Sequence, residues 1–192
     1  MLRATAVNKS WTFTYAVRLL ACAGFALMSV PLGRAETLGE VRIGDSLREA
    51  TIQGLNGPSR KLSEFRGKPL VINVWASWCG PCRAEMASLE RLAWGDQAGK
   101  YNVIGISTDD DRAQAETWLK GSNATISQFI DRGLLMEHML GASRLPLTVL
   151  VGPNGVVLNK IYGARQWDSP DALRLIGETF GWVAGGSPRS AQ

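Results

Sequence analysis

The segment from residue 69 to residue 94 constrains the fold of this chain more than any other. It opens with an apolar run rich in β-branched residues, 69–76 (PLVINVWA), which is typical of a buried parallel strand. The pentapeptide Trp78-Cys79-Gly80-Pro81-Cys82 follows, and apolar residues then recur at helical spacing, at Met86, Leu89, Leu92 and Ala93. Both cysteines are therefore predicted to lie where a buried strand gives way to a helix.

The predicted helix start favours a reactive thiol at Cys79. A sulfur in this position faces unpaired backbone N–H groups and the positive end of the helix dipole, which stabilise the thiolate and lower the pKa of the thiol. Cys82 lies one turn later and deeper, where it can attack a mixed disulfide formed at Cys79. Pro81 restricts the backbone of the small ring that the two sulfurs close. The pattern predicts thiol–disulfide exchange that needs no cofactor and no metal.

Other functions of a cysteine pair at this spacing are less well supported. A zinc site needs two further thiols or imidazoles, and outside the pair the chain offers only Cys22 and His138. An inert disulfide does not require a position where a strand gives way to a helix, and a peroxidatic cysteine does not require a second cysteine separated from it by only two residues. Copper(I) is a soft ion that thiolates bind, so a copper chaperone is the alternative from a different class, with three further soft ligands in Met136, His138 and Met139.

The rest of the chain alternates predicted strands and helices. Strands are expected over 101–107, 127–130, 147–152 and 156–162, and helices over 110–120, 134–140 and from Ser169-Pro170 onward. The run Asp109-Asp110-Asp111 is predicted to cap the second helix and form its first turn. A hairpin over 51–55 and 59–62 precedes the first core strand. This order predicts a mixed α/β sheet covered on both faces.

The first 35 residues differ in character from the remainder. They contain four basic residues and no acidic one, and the apolar run 19–30 (LLACAGFALMSV) leads to small residues that end at Ala35. This order is typical of a secretory signal peptide cleaved after Ala35, with Cys22 as an apolar filler. An uncleaved membrane anchor is the alternative, although Arg18 interrupts a span that needs about 20 apolar residues. Residues 36–184 are then predicted to form one folded domain and 185–192 a disordered tail.

The net charge of +4 comes entirely from that N-terminal segment. Residues 36–192 contain 17 basic and 17 acidic side chains, so the basic character of the chain does not indicate binding to nucleic acid. The N-terminal segment has no twin-arginine pair, which favours export by a Sec-type route. The sequence therefore predicts a periplasmic protein.

The run 67–86 (GKPLVINVWASWCGPCRAEM) resembles the thioredoxin superfamily, and more narrowly the exported TlpA/ResA-type thiol–disulfide oxidoreductases. The resemblance extends over about residues 44–180. It includes the hairpin, which that branch has and plain thioredoxin lacks. The resemblance implies a thioredoxin fold, with a mixed β-sheet flanked by helices on both faces and an N-terminal β-hairpin extension.

The resemblance also implies roles for individual residues. Cys79 matches the nucleophile and Cys82 the resolving thiol. Pro146 matches a cis-proline that faces the active site, and Leu145 before it offers its backbone to an extended substrate strand. Glu85 matches an acid that assists proton transfer to Cys82; the alternative is an exposed glutamate in the first turn of a helix. Three more residues contribute to the substrate-binding surface: Trp78, Gly80 and Pro81.

Two positions depart from the pattern of the superfamily. Asn73 stands where many thioredoxins have a buried aspartate, so Glu85 or water must replace that proton acceptor. Ala87 stands where a proline often kinks the helix, so the kink is not expected here.

The resemblance implies a reductase of protein disulfides, because Gly80-Pro81 is the dipeptide of strongly reducing thioredoxin. In this branch such reductases often serve cytochrome c maturation, with apocytochrome c as the client. The periplasm is kept oxidising, so the protein is expected to receive electrons from a membrane donor of the DsbD type. A disulfide oxidant or isomerase with the same residues is the alternative within this chemistry.

Overall fold

The computed structural model describes residues 39–182, in which seven strands and four helices follow one another in the predicted order. The strands are β1 (Thr51–Gly54), β2 (Arg60–Lys61), β3 (Leu70–Trp75), β4 (Asn102–Ser107), β5 (Ser127–Ile130), β6 (Leu147–Val151) and β7 (Val157–Tyr162). The helices are α1 (Gly80–Trp94), α2 (Arg112–Ser122), α3 (Leu135–Leu140) and α4 (Pro170–Thr179), and a single 3-10 turn covers Leu62–Phe65. The predicted signal segment 1–35, its cleavage site, Cys22 and the tail 185–192 lie outside the described residues.

The strands form one mixed sheet in the order β2-β1-β5-β4-β3-β6-β7. Strands β3, β4 and β5 are parallel to one another, and β6 is antiparallel to β3 on its other side. The predicted hairpin is confirmed and joins the main sheet, because β1 also pairs with β5. Because the carboxyl ends of parallel strands meet at one edge of a sheet, the loops after β3 and β4 lie side by side, next to the residues that precede β6.

Strand β3 divides the interior into two hydrophobic clusters. All six of its residues are buried, and because strand side chains alternate, Ile72 and Val74 belong to one cluster whereas Val71 and Trp75 belong to the other. The first cluster includes the buried face of α3, and the second includes buried residues of α1, α2 and α4. Helices on both faces confirm the predicted mixed α/β architecture, which is a thioredoxin-like fold.

Helix α2 begins two residues later than predicted, which corrects the interpretation of the three consecutive aspartates. Asp111 has extended backbone angles and accepts a hydrogen bond from the Ala113 N–H at 2.8 Å, so it is the capping residue and the helix begins at Arg112. Asp110 and Asp109 precede the helix and do not form its first turn. Asp109 is instead buried, with hydrogen-bond partners in the loop after β3 and in Ser107 at the end of β4.

None of the helices within residues 39–182 is both long enough and apolar enough to cross a bilayer.

Candidate active site

Cys79 and Cys82 are joined by a disulfide at the start of α1, with an S–S distance of 2.05 Å and Cα atoms 5.3 Å apart. Cys79 is the capping residue of the helix, and its Sγ accepts a hydrogen bond from the Cys82 N–H at 3.2 Å. Cys79 is 6% exposed and Cys82 is fully buried. Of the two cysteines, only Cys79 is therefore partly exposed to solvent.

An exposed surface surrounds this buried pair. Trp78 is 69% exposed, and Gly80 and Pro81 are exposed as well. Below them the Trp75 side chain is buried; its indole N–H donates to Gln128 Oε1 at 2.9 Å, and its ring lies 5.0 Å from that of Trp118. Trp75 thus belongs to the same hydrophobic cluster as the cysteine pair, and the exposed indole of Trp78 lies next to Cys79 in the chain.

The Leu145–Pro146 peptide bond is cis, as the resemblance implies. Pro146 immediately precedes β6, whose residue Leu147 pairs with Val74 in β3, so the proline lies at the sheet edge from which Trp78 and Cys79 emerge. Its carbonyl oxygen accepts a hydrogen bond from the Gly163 N–H at 2.9 Å. Leu145 is partly buried and packs against both hydrophobic clusters.

Glu85 is 2% exposed, which rules out the alternative of an exposed glutamate on the helix surface. One carboxylate oxygen accepts a hydrogen bond from Asn73 Nδ2 at 2.7 Å. The other accepts the Arg165 N–H and the Trp167 indole N–H, both at 2.9 Å. Burial raises the pKa of Glu85 above its usual 4.5, and these three hydrogen bonds oppose part of that rise. The Glu85 carboxyl group lies one turn after Cys82 on α1. Because its pKa is raised, it holds its proton more tightly than a free glutamate does.

Asn73 belongs to the same buried cluster as Glu85. Its Nδ2 also donates to Thr148 Oγ1 at 3.0 Å, whereas its Oδ1 is buried without a hydrogen-bond partner. The position at which many thioredoxins have an acid thus contacts the acid of this chain directly. Helix α1 continues without interruption through Ala87.

Three buried residues near the pair were not singled out as site residues from the sequence. Trp167 reaches Glu85 from the loop after β7, and Gln128 reaches Trp75 from β5, so neither contact has a signal in sequence spacing. The sequence predicts that Asp109 belongs to the cap and first turn of a helix. In the structure its Oδ2 instead accepts hydrogen bonds from the Ser77 N–H at 2.9 Å and from Ser107 Oγ at 2.6 Å. The one signal that the sequence offers for Asp109 is its place two residues after a buried strand.

A family model described as Redoxin matches residues 42–176, which is well over half of the chain. The chain belongs to the Redoxin family. The match covers every residue of the site described above, from Asn73 to Trp167. Membership in the Redoxin family, together with a disulfide-bonded Cys-x-x-Cys pair at a helix start, makes the chain a thiol–disulfide oxidoreductase.

Two curated relatives and one solved structure show how this Redoxin family member is related to known proteins. It is 36% identical over 172 residues to a thiol:disulfide interchange protein DsbE of Vibrio cholerae, covering 84% of this chain and 91% of the relative. It is 27% identical over 123 residues to a thiol-disulfide oxidoreductase ResA of Geobacillus thermodenitrificans, covering 64% and 71% of the two chains. The crystal structure of a putative DsbE from Chlorobium tepidum superposes with a TM-score of 0.67 at 24% identity, over 73% of this chain and 99% of that one, and shows the same fold.

The soft side chains considered for copper do not converge on the cysteine pair in this Redoxin family protein. Met136 and Met139 are buried in the hydrophobic cluster on the α3 side of the sheet, whereas Cys79 and Cys82 belong to the other cluster. His138 is exposed. Within residues 39–182 no group of three or more His, Cys, Asp or Glu side chains is arranged to hold a metal ion.

Proposed function

We propose that this protein is an exported reductase of protein disulfides, with Cys79 as its nucleophile and Cys82 as its resolving thiol. The observation that carries the proposal is the geometry of the pair. The sulfur of Cys79 caps α1 and accepts a backbone N–H, and the sulfur of Cys82 is buried directly behind it. The same N–H and the helix dipole stabilise a thiolate at Cys79 once the disulfide has been reduced.

The exchange proceeds in two steps. The Cys79 thiolate attacks one sulfur of a client disulfide, forming a mixed disulfide and releasing the other client sulfur as a thiolate that takes up a proton. Cys82 then loses its proton and attacks Cys79 Sγ, which releases the second client sulfur. Two electrons pass to the client, which becomes a dithiol, and the enzyme ends with the Cys79–Cys82 disulfide.

Glu85 is the candidate acceptor for the proton of Cys82. It follows Cys82 by one turn of α1, is buried, and has a pKa raised by that burial, so a carboxylate there binds a proton more readily than in water. Asn73 replaces the aspartate of many thioredoxins and holds Glu85 by a 2.7 Å hydrogen bond. Its amide orients the acid that takes over the role of that aspartate.

The client binds across the exposed surface beside Cys79. Trp78, Gly80 and Pro81 are exposed next to Cys79 in the chain, and Leu145 with cis-Pro146 precedes β6 at the same edge of the sheet. An extended client strand pairs with the backbone of Leu145, while the indole of Trp78 covers apolar client side chains. This arrangement suits segments that present a disulfide in unfolded or extended chain.

Apocytochrome c is the proposed client, since haem attachment requires two reduced cysteines in an unfolded chain. The relatives named DsbE and ResA support thiol–disulfide exchange, and the Gly80-Pro81 dipeptide of strongly reducing thioredoxin supports the reducing direction. Because the periplasm is kept oxidising, the disulfide is re-reduced by a membrane dithiol protein of the DsbD type. The proposed domain comprises residues 36–184, preceded by a signal peptide cleaved after Ala35.

Trapping with Cys82→Ala tests this function. The variant retains Cys79 and cannot resolve the mixed disulfide, so the client stays covalently attached and is identified by mass spectrometry after non-reducing electrophoresis. Cys79→Ser is the matched control, in which no adduct forms. A reduction potential near the −120 mV of DsbA would contradict the reducing direction, and reduction of an apocytochrome c disulfide by Cys79→Ser at the wild-type rate would contradict the mechanism.

Export is tested separately, by expressing the full chain in a bacterium with two membranes and sequencing the N-terminus of the protein in the periplasmic fraction. Cleavage after Ala35 gives a first residue of Glu36. A protein that sediments with the inner membrane and starts at Met1 supports the anchored alternative. Recovery from the cytoplasm alone would contradict export.

A further inference from the structure

The carboxylate of Asp109 contacts Ser77 in the loop that leads to Cys79, and it is not used in the exchange steps. It is 2% exposed, lies two residues after the end of β4, and accepts hydrogen bonds from both the N–H and the hydroxyl of Ser77 in the active-site loop. The Ser77 N–H donates to Oδ2 at 2.9 Å and to Oδ1 at 3.2 Å, and the Ser77 hydroxyl donates to Oδ1 at 2.7 Å. The Ser107 hydroxyl donates to Oδ2 at 2.6 Å, so both oxygens are engaged.

Ser77 is the residue through which Asp109 reaches the pair. It stands two positions before Cys79 and one before Trp78, in the loop that joins β3 to α1. The loop is also held by a hydrogen bond from the Cys79 N–H to the Ala76 carbonyl at 3.1 Å. With two residues spanning at most about 7 Å, the carboxylate lies within roughly 10 Å of the Cys79 backbone.

We propose that Asp109 is a positioning residue of the redox centre, which fixes the loop carrying Trp78 and Cys79 and opposes a second negative charge at the Cys79 sulfur. Both effects follow from the same contacts. A buried carboxylate with three donors is costly to displace, so Ser77 is held in one conformation. A fixed negative charge at this distance disfavours the thiolate form of the reduced enzyme, and a less stable reduced form makes the pair more reducing.

The inference rests on the exchange at Cys79 proposed above, but its first measurement uses no client protein. Asp109→Asn in the full chain is equilibrated with glutathione and compared with the wild type. Removing the charge is expected to shift the equilibrium threefold to tenfold toward the dithiol, which corresponds to about 14 to 30 mV at 29.6 mV per factor of ten. Asp110→Asn, an exposed neighbour with the same charge change, is the matched control and should leave the equilibrium unchanged.

The second measurement separates positioning from general stability. With insulin as the protein disulfide, Asp109→Asn is expected to raise KM at least threefold, because a loosened loop no longer presents Trp78 in one orientation. Ser77→Ala removes only the 2.7 Å bond to Oδ1 and should raise KM by a smaller factor, with an unchanged glutathione equilibrium.

Three results would overturn the inference. The first is an Asp109→Asn variant whose unfolding temperature changes while its reduction potential and its KM for insulin stay at the wild-type values, because that result would show a purely structural residue. The second is an equal shift of the glutathione equilibrium in Asp110→Asn, because that result would show an effect of net charge. If Asp109→Asn does not fold, Ser77→Ala decides, and a wild-type KM in that variant rejects the role. Failure to trap a client in Cys82→Ala leaves the glutathione measurement intact, so the two proposals fail separately.

Discussion

At the scale of single residues, Glu85 links the pair to the rest of the molecule. Its two carboxylate oxygens accept hydrogen bonds from Asn73 in β3 and from Arg165 and Trp167 in the loop after β7. One buried carboxylate thus connects helix α1 to strand β3 and to the loop after β7. Its protonation state therefore affects both the redox chemistry and the stability of the fold.

The stability of the protein is predicted to depend on pH through Glu85. Its folded-state pKa is raised, so above pH 4.5 the unfolded chain ionises first and the folded protein binds more protons. The free energy of unfolding contributed by this residue therefore falls as the pH rises from 4.5 through the folded-state pKa. Urea unfolding of the wild type and of Glu85→Gln between pH 4 and pH 8 measures the difference. A wild type that gains stability relative to Glu85→Gln as the pH rises would contradict the assignment.

At the scale of elements, strands β4 and β5 fit together only because residue 105 is a glycine. Gly105 pairs with Gln128, whose side chain occupies the space where a Cβ of residue 105 would lie. In that position Gln128 accepts the indole N–H of Trp75 at 2.9 Å and donates to the sulfur of Met86 at 3.6 Å. The missing side chain in β4 thus allows β5 to hold Trp75 and Met86, which belong to the same hydrophobic cluster as the cysteine pair.

Gly105→Ala is predicted to destabilise the protein by about 1 to 3 kcal/mol. The added methyl group displaces the amide of Gln128 and leaves the buried indole N–H of Trp75 without an acceptor, which is the cost of one unsatisfied donor. Urea unfolding followed by tryptophan fluorescence measures this loss in the free energy of unfolding. Gly121→Ala in α2 is the matched control, since its added Cβ has no neighbour within 4 Å. Equal stabilities of the two variants would reject this explanation.

The start of α2 permits a second prediction at this scale. Asp111 accepts the Ala113 N–H at 2.8 Å, whereas Asp110 lies one residue earlier and caps nothing. Asp111→Ala is therefore expected to cost about 1 kcal/mol in the free energy of unfolding, as for other helix caps. Asp110→Ala should have no measurable effect in the same denaturation experiment, and similar losses in both variants would show that the cap is not responsible.

At the scale of the whole molecule, the segment before β1 ties distant parts of the fold together. The Val41 N–H donates to the Met139 carbonyl at 2.9 Å, and the Gly44 N–H donates to Val157 at 2.8 Å. The Nζ of Lys160 forms an ion pair with Glu40 Oε1 at 2.7 Å, and the Lys160 side chain is only 9% exposed. The segment therefore covers α3 and β7 and belongs to the folded unit.

Breaking the Glu40–Lys160 pair is predicted to cost about 1 to 3 kcal/mol. Glu40→Gln leaves a largely buried ammonium group without its counter-charge, and Lys160→Met in the same chain should restore most of the loss. Asp171→Asn, which breaks the exposed pair with Arg174, is the control and should leave the unfolding midpoint unchanged. No recovery in the double variant would show that the loss comes from packing and not from the unpaired charge.

Local information was sufficient for much of the molecule. The strand 69–76, the helix 80–94 and the hairpin over 51–62 follow from apolar period and turn residues, which act over a few positions of chain. The predicted start of α2 is two residues too early. Any of the three adjacent aspartates could cap the helix by sequence alone, but the hydrogen bonds of Asp109 hold it away from the helix, which is capped by Asp111. Of the hydrogen-bond partners of Asp109, Ser107 is only two residues before it, whereas Ser77 lies 32 positions away in the loop after β3.

The sequence by itself determined the thioredoxin-like fold and the identity of the redox pair, because both are encoded in contiguous patterns: an apolar strand, a Cys-x-x-Cys segment and an amphipathic helix. Only the tertiary structure decided that Glu85 is buried and that Asp109 holds Ser77. Each depends on contacts between residues 12 to 82 positions apart along the chain. Burial and hydrogen-bond partners set the charge of a carboxyl group, and both come from the packing of distant elements that no local pattern specifies.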